Sequence, residues 1–170
     1  MPPLIGAHVS AAGGLEKAIL RAEEIGADAI QIFGSSPRQW SVVLPTAETV
    51  TAFRAAQKRS RVKRVFLHAP YLANVGHPDR EMRAKSIAAL AGHLEICRML
   101  DADGLIFHIG SGKGVPRDDA HELVVESMRD VFARVSDARL IIENSAGEGD
   151  KIGATPDEIA LLRKRVGSDR

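Results

Sequence analysis

The sequence predicts an α/β fold built on a parallel sheet of five βα units. Three observations predict it. Short strand-like runs alternate with longer helical stripes along the whole chain. The strand-like runs are continuous in Val, Ile, Leu and Phe, the pattern of strands covered on both faces. The last three runs begin roughly 35 to 40 residues apart, room for a strand, a crossover helix and two turns. Two architectures share this pattern: an open doubly wound sheet and a (β/α)8 barrel, which takes eight units and about 250 residues. The 170 residues read as one domain with its own core, without linkers or low-complexity segments.

The elements follow in order. Leu4–Val9 reads as the first strand. Gly13 and Gly14 lead into a helix with an inward stripe of Leu15, Ala18, Ile19, Ala22 and Ile25, and Gly26 stops it. Asp28–Phe33 is the second strand, followed by a loop rich in Gly, Ser and Pro. Thr46 caps a helix that runs to about Ser60. Arg64–His68 is the third strand, and Asp79–Leu100 a long helix with Ile87, Leu90, Ala91, Leu94 and Cys97 facing inward. Gly104–His108 is the fourth strand, Asp118–Val135 the next helix and Arg139–Glu143 the fifth strand. Thr155, Pro156 and Glu158 have the cap, first-position and capping-box spacing that opens a last helix.

Composition narrows the class. Apolar residues make up 45% and charged residues 26%, the balance of a soluble globular chain. The net charge of +1 argues neither for nor against a nucleic-acid partner. One cysteine, Cys97, excludes a disulfide within the chain and suits a reducing compartment. The first residues show no basic segment followed by a long apolar run, so the expectation is a cytoplasmic protein.

The strand ends carry the chemistry. VFLHAP ends its apolar run at His68, LIFH ends at His108, and LIIE ends at Glu143. In parallel α/β folds functional groups gather at the carboxyl ends of strands. Three successive polar ends therefore meet at one rim, as a donor set of two imidazoles and a carboxylate. That set suits zinc, and also manganese or iron. His8 closes the first strand on the same rim. Asn144 follows Glu143 either to support it or to turn the chain. His93 and His121 lie within helices and read as packing or surface residues. Asp28 and Asp103 sit at strand entries, where polar residues serve stability.

Two rim loops add detail. Gly110-Ser111-Gly112-Lys113-Gly114 fails the phosphate-loop spacing and reads as a mobile loop beside His108. Residues 34–64 hold seven Lys/Arg and one acid, a net +6. Most of that charge gathers at Lys58–Arg64, where it serves the helix dipole and solvent. Arg38 and Trp40 instead occupy a rim loop. There they would stack on and contact a phosphate backbone, or Trp40 would simply cover the edge of the fold. Tyr71 and Leu72, just past His68, are an aromatic and aliphatic pair of the kind that wedges into DNA.

These residues fall in longer strings. GAHVSAAGG (6–14), RQW (38–40), HAPYLAN (68–74), FHIGS (107–111) and IENSAG (142–147) closely resemble motifs of the bacterial endonuclease IV family, in the family's order and across essentially the whole chain. The resemblance implies a TIM (β/α)8 barrel, of which this chain carries about five units. It implies three zinc ions and hydrolysis of the phosphodiester 5′ to an abasic site in double-stranded DNA. It implies that His68 and His108 bind one zinc, that Glu143 bridges two and serves catalysis, and that Arg38, Tyr71 and Leu72 enter the DNA.

The family's later ligand motifs, of the IDTCH and HLND kind and a late Glu, are absent from these residues. The chain thus reads as the first five-eighths of such a barrel, ending near Arg163–Arg170 where a sixth strand is expected. Alone, it is expected to bind metal weakly and to nick abasic DNA poorly or not at all. The alternatives are a sugar isomerase or epimerase on the same barrel with one divalent metal, a non-catalytic DNA-binding remnant, and a half-barrel completed by another copy or another chain.

Overall fold

A computed structural model describes residues 2–168. Five strands and five helices alternate: β1 (Gly6–His8), α1 (Leu15–Glu24), β2 (Ala29–Ile32), α2 (Ala47–Arg59), β3 (Arg64–His68), α3 (Arg80–Leu100), β4 (Gly104–His108), α4 (Arg117–Arg134), β5 (Leu140–Glu143) and α5 (Pro156–Val166). All strand pairs are parallel and the sheet order is β1-β2-β3-β4-β5. That order settles the architecture. A doubly wound sheet reverses direction at a switch point, whereas each strand here adds beside the last, as in a barrel wall. The expected α/β class and barrel type are borne out, with five of the units present.

Register explains the two faces. His8 pairs with Gln31, Gln31 with Phe66, His68 with Ile106, and His108 with Glu143. Side chains alternate along a strand, so His8, Gln31, His68, His108 and Glu143 share one face. The opposite face carries Ile30, Ile32, Val65, Leu67, Leu105 and Phe107, all 0–1% exposed beneath the helices. Helices cover only this outer face of the strands. Among the described residues, Gln31, Phe66, Ile106 and Ile141 on the inner face are only half-buried. No helix packs there, because every crossover in a singly wound wall lies on the same side.

Local signals placed most of the boundaries. The Thr46 side chain accepts from Thr49 N–H at 3.3 Å and starts α2. The Asp79 carboxylate accepts from Met82 N–H at 2.8 Å and starts α3. β1 is shorter than expected, and Leu4 and Ile5 are 48% and 67% exposed at its mouth. Ile25, placed in the inward stripe of α1, is 61% exposed, because the helix ends one residue earlier and Ile25 is its cap. α5 continues to Val166, so Arg163–Val166 are helical rather than the start of a strand, and residues 169–170 lie outside the described residues.

The amino-terminal rim is held by charge. Asp28 binds Arg61 at 2.8 Å, and Asp103 binds Arg64 at 2.6 Å and Val65 N–H at 2.8 Å. Arg61 and Arg64 thus do more than serve a helix end. No helix among the described residues is long and apolar enough to cross a membrane.

Candidate metal centre

β3, β4 and β5 end side by side, and their last residues converge. One ligand atom each from His68, His108 and Glu143 lie within 4.8 Å of one another. His68 Nε2 is 3.0 Å from Glu143 Oε2, and His108 Nε2 is 3.8 Å from the same oxygen. Two donors held about 2.1 Å from one tetrahedral ion stand about 3.4 Å apart, so these separations bracket that spacing. His68 is buried, while the side chains of His108 and Glu143 remain 40% and 46% exposed, open to an incoming ligand.

The hydrogen bonds of His68 sharpen the fit. Its Nδ1–H donates to the Ala69 carbonyl at 2.7 Å, which leaves Nε2 with a free electron pair aimed at the carboxylate. Two electron pairs facing at 3.0 Å require positive charge between them, supplied by a proton or a divalent cation. The donor chemistry is an N/N/O set that suits zinc, manganese or iron with an open position.

Surrounding residues complete the rim. Gln31 Nε2 donates to His8 Nδ1 at 2.8 Å, and the His8 ring stacks tilted on Phe33 at 4.7 Å and stands 6.4 Å from the His68 ring. Burial, then the neighbouring His68, holds the His8 imidazole below its usual pKa. His8 is thus adjacent to the cluster without being one of its three donors. Tyr71, 68% exposed, packs its ring 5.8 Å from His68 and 5.6 Å from Phe33. Leu72 stands beside it at the mouth of a cleft of about 810 Å³ that also takes in His108, Glu143, Asn144, Lys113 and Lys151. Asn144 donates only to the Ser145 carbonyl, at 3.5 Å. A second cleft of about 820 Å³, more apolar, runs from His8 along the loop after β2. Arg38 lies exposed in that loop and lines neither cleft, and Trp40 is half-buried.

Asn74 is the residue that sequence reasoning passed over. Its Oδ1 accepts from Gly76 N–H and Ser111 N–H, both at 3.1 Å, and its Nδ2 donates to the Ser111 carbonyl at 3.0 Å. It therefore ties the loop carrying Tyr71 and Leu72 to the loop after His108. The only signal was its place at the end of HAPYLAN. The glycine loop expected to be mobile is laced on both sides: Ser111 bridges to Lys151, Gly112 N–H donates to the Asp150 carbonyl at 3.0 Å, and Ile152 N–H to the Gly110 carbonyl at 3.0 Å.

His121 is likewise more than a packing residue. Its Nε2–H donates to Glu158 at 2.7 Å, and the same carboxylate receives Arg117 at 2.7 Å and the N–H groups of Gly153 and Ala154 at 2.8 and 3.0 Å. Glu158 therefore reaches past its own helix cap and pins the loop that follows Glu143.

Comparison with known proteins agrees with this geometry. The family model described as Xylose isomerase-like TIM barrel matches residues 19–170. The chain belongs to this family. A probable endonuclease 4 from Methanoculleus marisnigri is 39% identical over 172 residues, covering 96% of this chain and 61% of the relative. A probable endonuclease 4 from Chloroflexus aurantiacus is 35% identical over 162 residues, covering 94% and 57%. The crystal structure of endonuclease IV from Thermus thermophilus matches with a TM-score of 0.85 at 36% identity, over 95% of this chain and 59% of that one. The expected resemblance to endonuclease IV is borne out. A D-psicose 3-epimerase structure, at a TM-score of 0.74 and 18% identity, shares the barrel fold alone. The chain spans about three fifths of the length of the curated relatives it matches.

Proposed function

We propose that this chain belongs to a metal-dependent apurinic/apyrimidinic endonuclease, which hydrolyses the phosphodiester 5′ to abasic sites in double-stranded DNA during base excision repair. One observation carries the reading: the His68, His108 and Glu143 donors meet at strand ends in a chain whose relatives are named endonuclease 4. The proposed metal is zinc, with His68 Nε2, His108 Nε2 and the Glu143 carboxylate as its ligands. A zinc ion there would supply Lewis-acid charge to the attacked phosphate and its leaving oxygen.

The chain's own residues supply the rest. The Ala69 carbonyl keeps the His68 proton on Nδ1 and so keeps Nε2 free to bind. Glu143 orients its carboxylate towards both imidazoles. Tyr71 and Leu72, exposed at the cleft mouth, fill the space an absent base leaves in the duplex. An abasic nucleotide has no base to unstack and is the least costly to extrude. Arg38 contacts the phosphate backbone from the neighbouring loop. His8 and Asn144 support the ligands from either side.

The test is binding and nicking of a duplex carrying one abasic site, with and without chelator. The expected result is tighter binding to the abasic than to the intact duplex, lost in Y71A/L72A. Any cut is expected 5′ to the lesion and chelator-sensitive. Equal binding to both duplexes would refute the reading, and chelator-sensitive ketose epimerisation would favour the sugar-enzyme alternative.

A further inference from the structure

We propose that Lys113 and Lys151 form a second anion site in the cleft, a phosphodiester subsite beside His68, His108 and Glu143; it rests on the nucleic-acid reading above. Both lysines line the cleft that holds His108, Glu143, Tyr71 and Leu72. They come from different loops, after β4 and after β5, and the backbone holds those loops together. Ser111 bridges to Lys151, and Gly112 N–H donates to the Asp150 carbonyl at 3.0 Å. Neither side chain has an ion-pair partner among the described residues.

The charges are sorted by direction. The loop after β5 also carries Glu148 and Asp150, yet only Lys151 among the three lines the cleft. Glu143 is the one carboxylate in the lining, and it already faces His68 at 3.0 Å. Lys113 is also held at φ 51, a left-handed conformation that lysine rarely adopts. Its N–H donates to Ser111 Oγ at 3.3 Å, which helps to fix the turn. Backbone held in a sparsely populated conformation beside a cleft is a mark of function. Two ammonium groups without a carboxylate partner favour an anion over a neutral sugar, and a nucleic-acid strand presents a phosphate at every step. The ligand is therefore a phosphate of the strand held at the cluster, adjacent to the one the cluster engages.

The experiment is fluorescence anisotropy with a labelled duplex, abasic or intact, across a salt series. K113A/K151A is compared with the unaltered protein, with K113R/K151R, and with K58A/K63A, whose lysines sit at the other rim. Circular dichroism checks folding of each. The double alanine variant should bind both duplexes about tenfold or more weakly. The slope of log affinity against log salt should fall by about two, one for each phosphate no longer neutralised. The arginine pair should retain binding. A slope and affinity equal to the unaltered protein, or no different from K58A/K63A, would overturn the subsite, while Y71A/L72A still reports on the wider reading. No binding of any duplex by the unaltered protein would overturn both.

Discussion

Asn74→Ala isolates the tie between two rim loops. The substitution removes two acceptor bonds, from Gly76 and Ser111 N–H, and one donor bond to the Ser111 carbonyl. Each half-buried bond contributes about 1 kcal/mol net, so the three together stabilise the fold by about 3 kcal/mol. For a chain of this size that corresponds to a fall in melting temperature of roughly 6–12 °C. Asn74→Asp keeps both acceptors and turns the third bond into a repulsion between oxygens, so its loss should be smaller. Thermal melting followed by circular dichroism gives the first number. Amide hydrogen exchange at Gly76 and Ser111 gives the location, with protection lost at these two amides before the sheet opens. An N74A protein that melts with the unaltered one, or that loses protection evenly everywhere, would refute the argument. Gly110 belongs to the same device: it sits at φ 105 against Asn74, where an added Cβ would strike the amide oxygen.

Three further outcomes are expected. His93 is fully buried with both ring nitrogens unpartnered, and burial pushes its pKa down from 6.5 to about 4. The unfolded chain therefore binds the extra proton between these values, so stability is full above pH 6.5 and falls towards pH 4 by about 3 kcal/mol; urea melts across this range should show the slope, and H93F should flatten it. Glu143→Gln should weaken zinc binding at least tenfold in a chelator-competition titration without lowering the melting temperature; unchanged affinity would remove Glu143 from the ligand set. Glu158→Ala should cost about 2–4 kcal/mol, because the buried His121 and the Gly153 and Ala154 N–H groups lose their acceptor, while the exposed Arg117 adds little; a loss below about 1 kcal/mol in urea unfolding would count against the role of this cluster.

Much of the fold was legible in the residues because local signals agree. The period of the apolar stripes, the Thr46 cap and the Thr155-Pro156 start placed α2, α3 and α5 within a residue or two. Where local signals conflict, the reading slipped. Ile25 fits the apolar stripe of α1, but Gly26 at φ 71 ends the helix first and leaves it in solvent. The continuous apolar runs suggested two covered faces, yet such runs do not distinguish a helix-covered face from the inside of a wall.

The endings of β3, β4 and β5 by themselves determined which polar groups share a rim, because strands in a parallel sheet point the same way and period-two alternation sets the face. Only the tertiary structure decided the rest. The sheet order excluded a doubly wound fold, and side-chain reach across the inner face brought His68 Nε2 to 3.0 Å from Glu143 although β4 lies between their strands. The Ala69 carbonyl chose the His68 tautomer, Asn74 joined loops 37 residues apart, and Glu158 gathered donors from α4 and from the loop before α5. These contacts depend on side-chain reach across distant segments, and no local period or propensity encodes that distance.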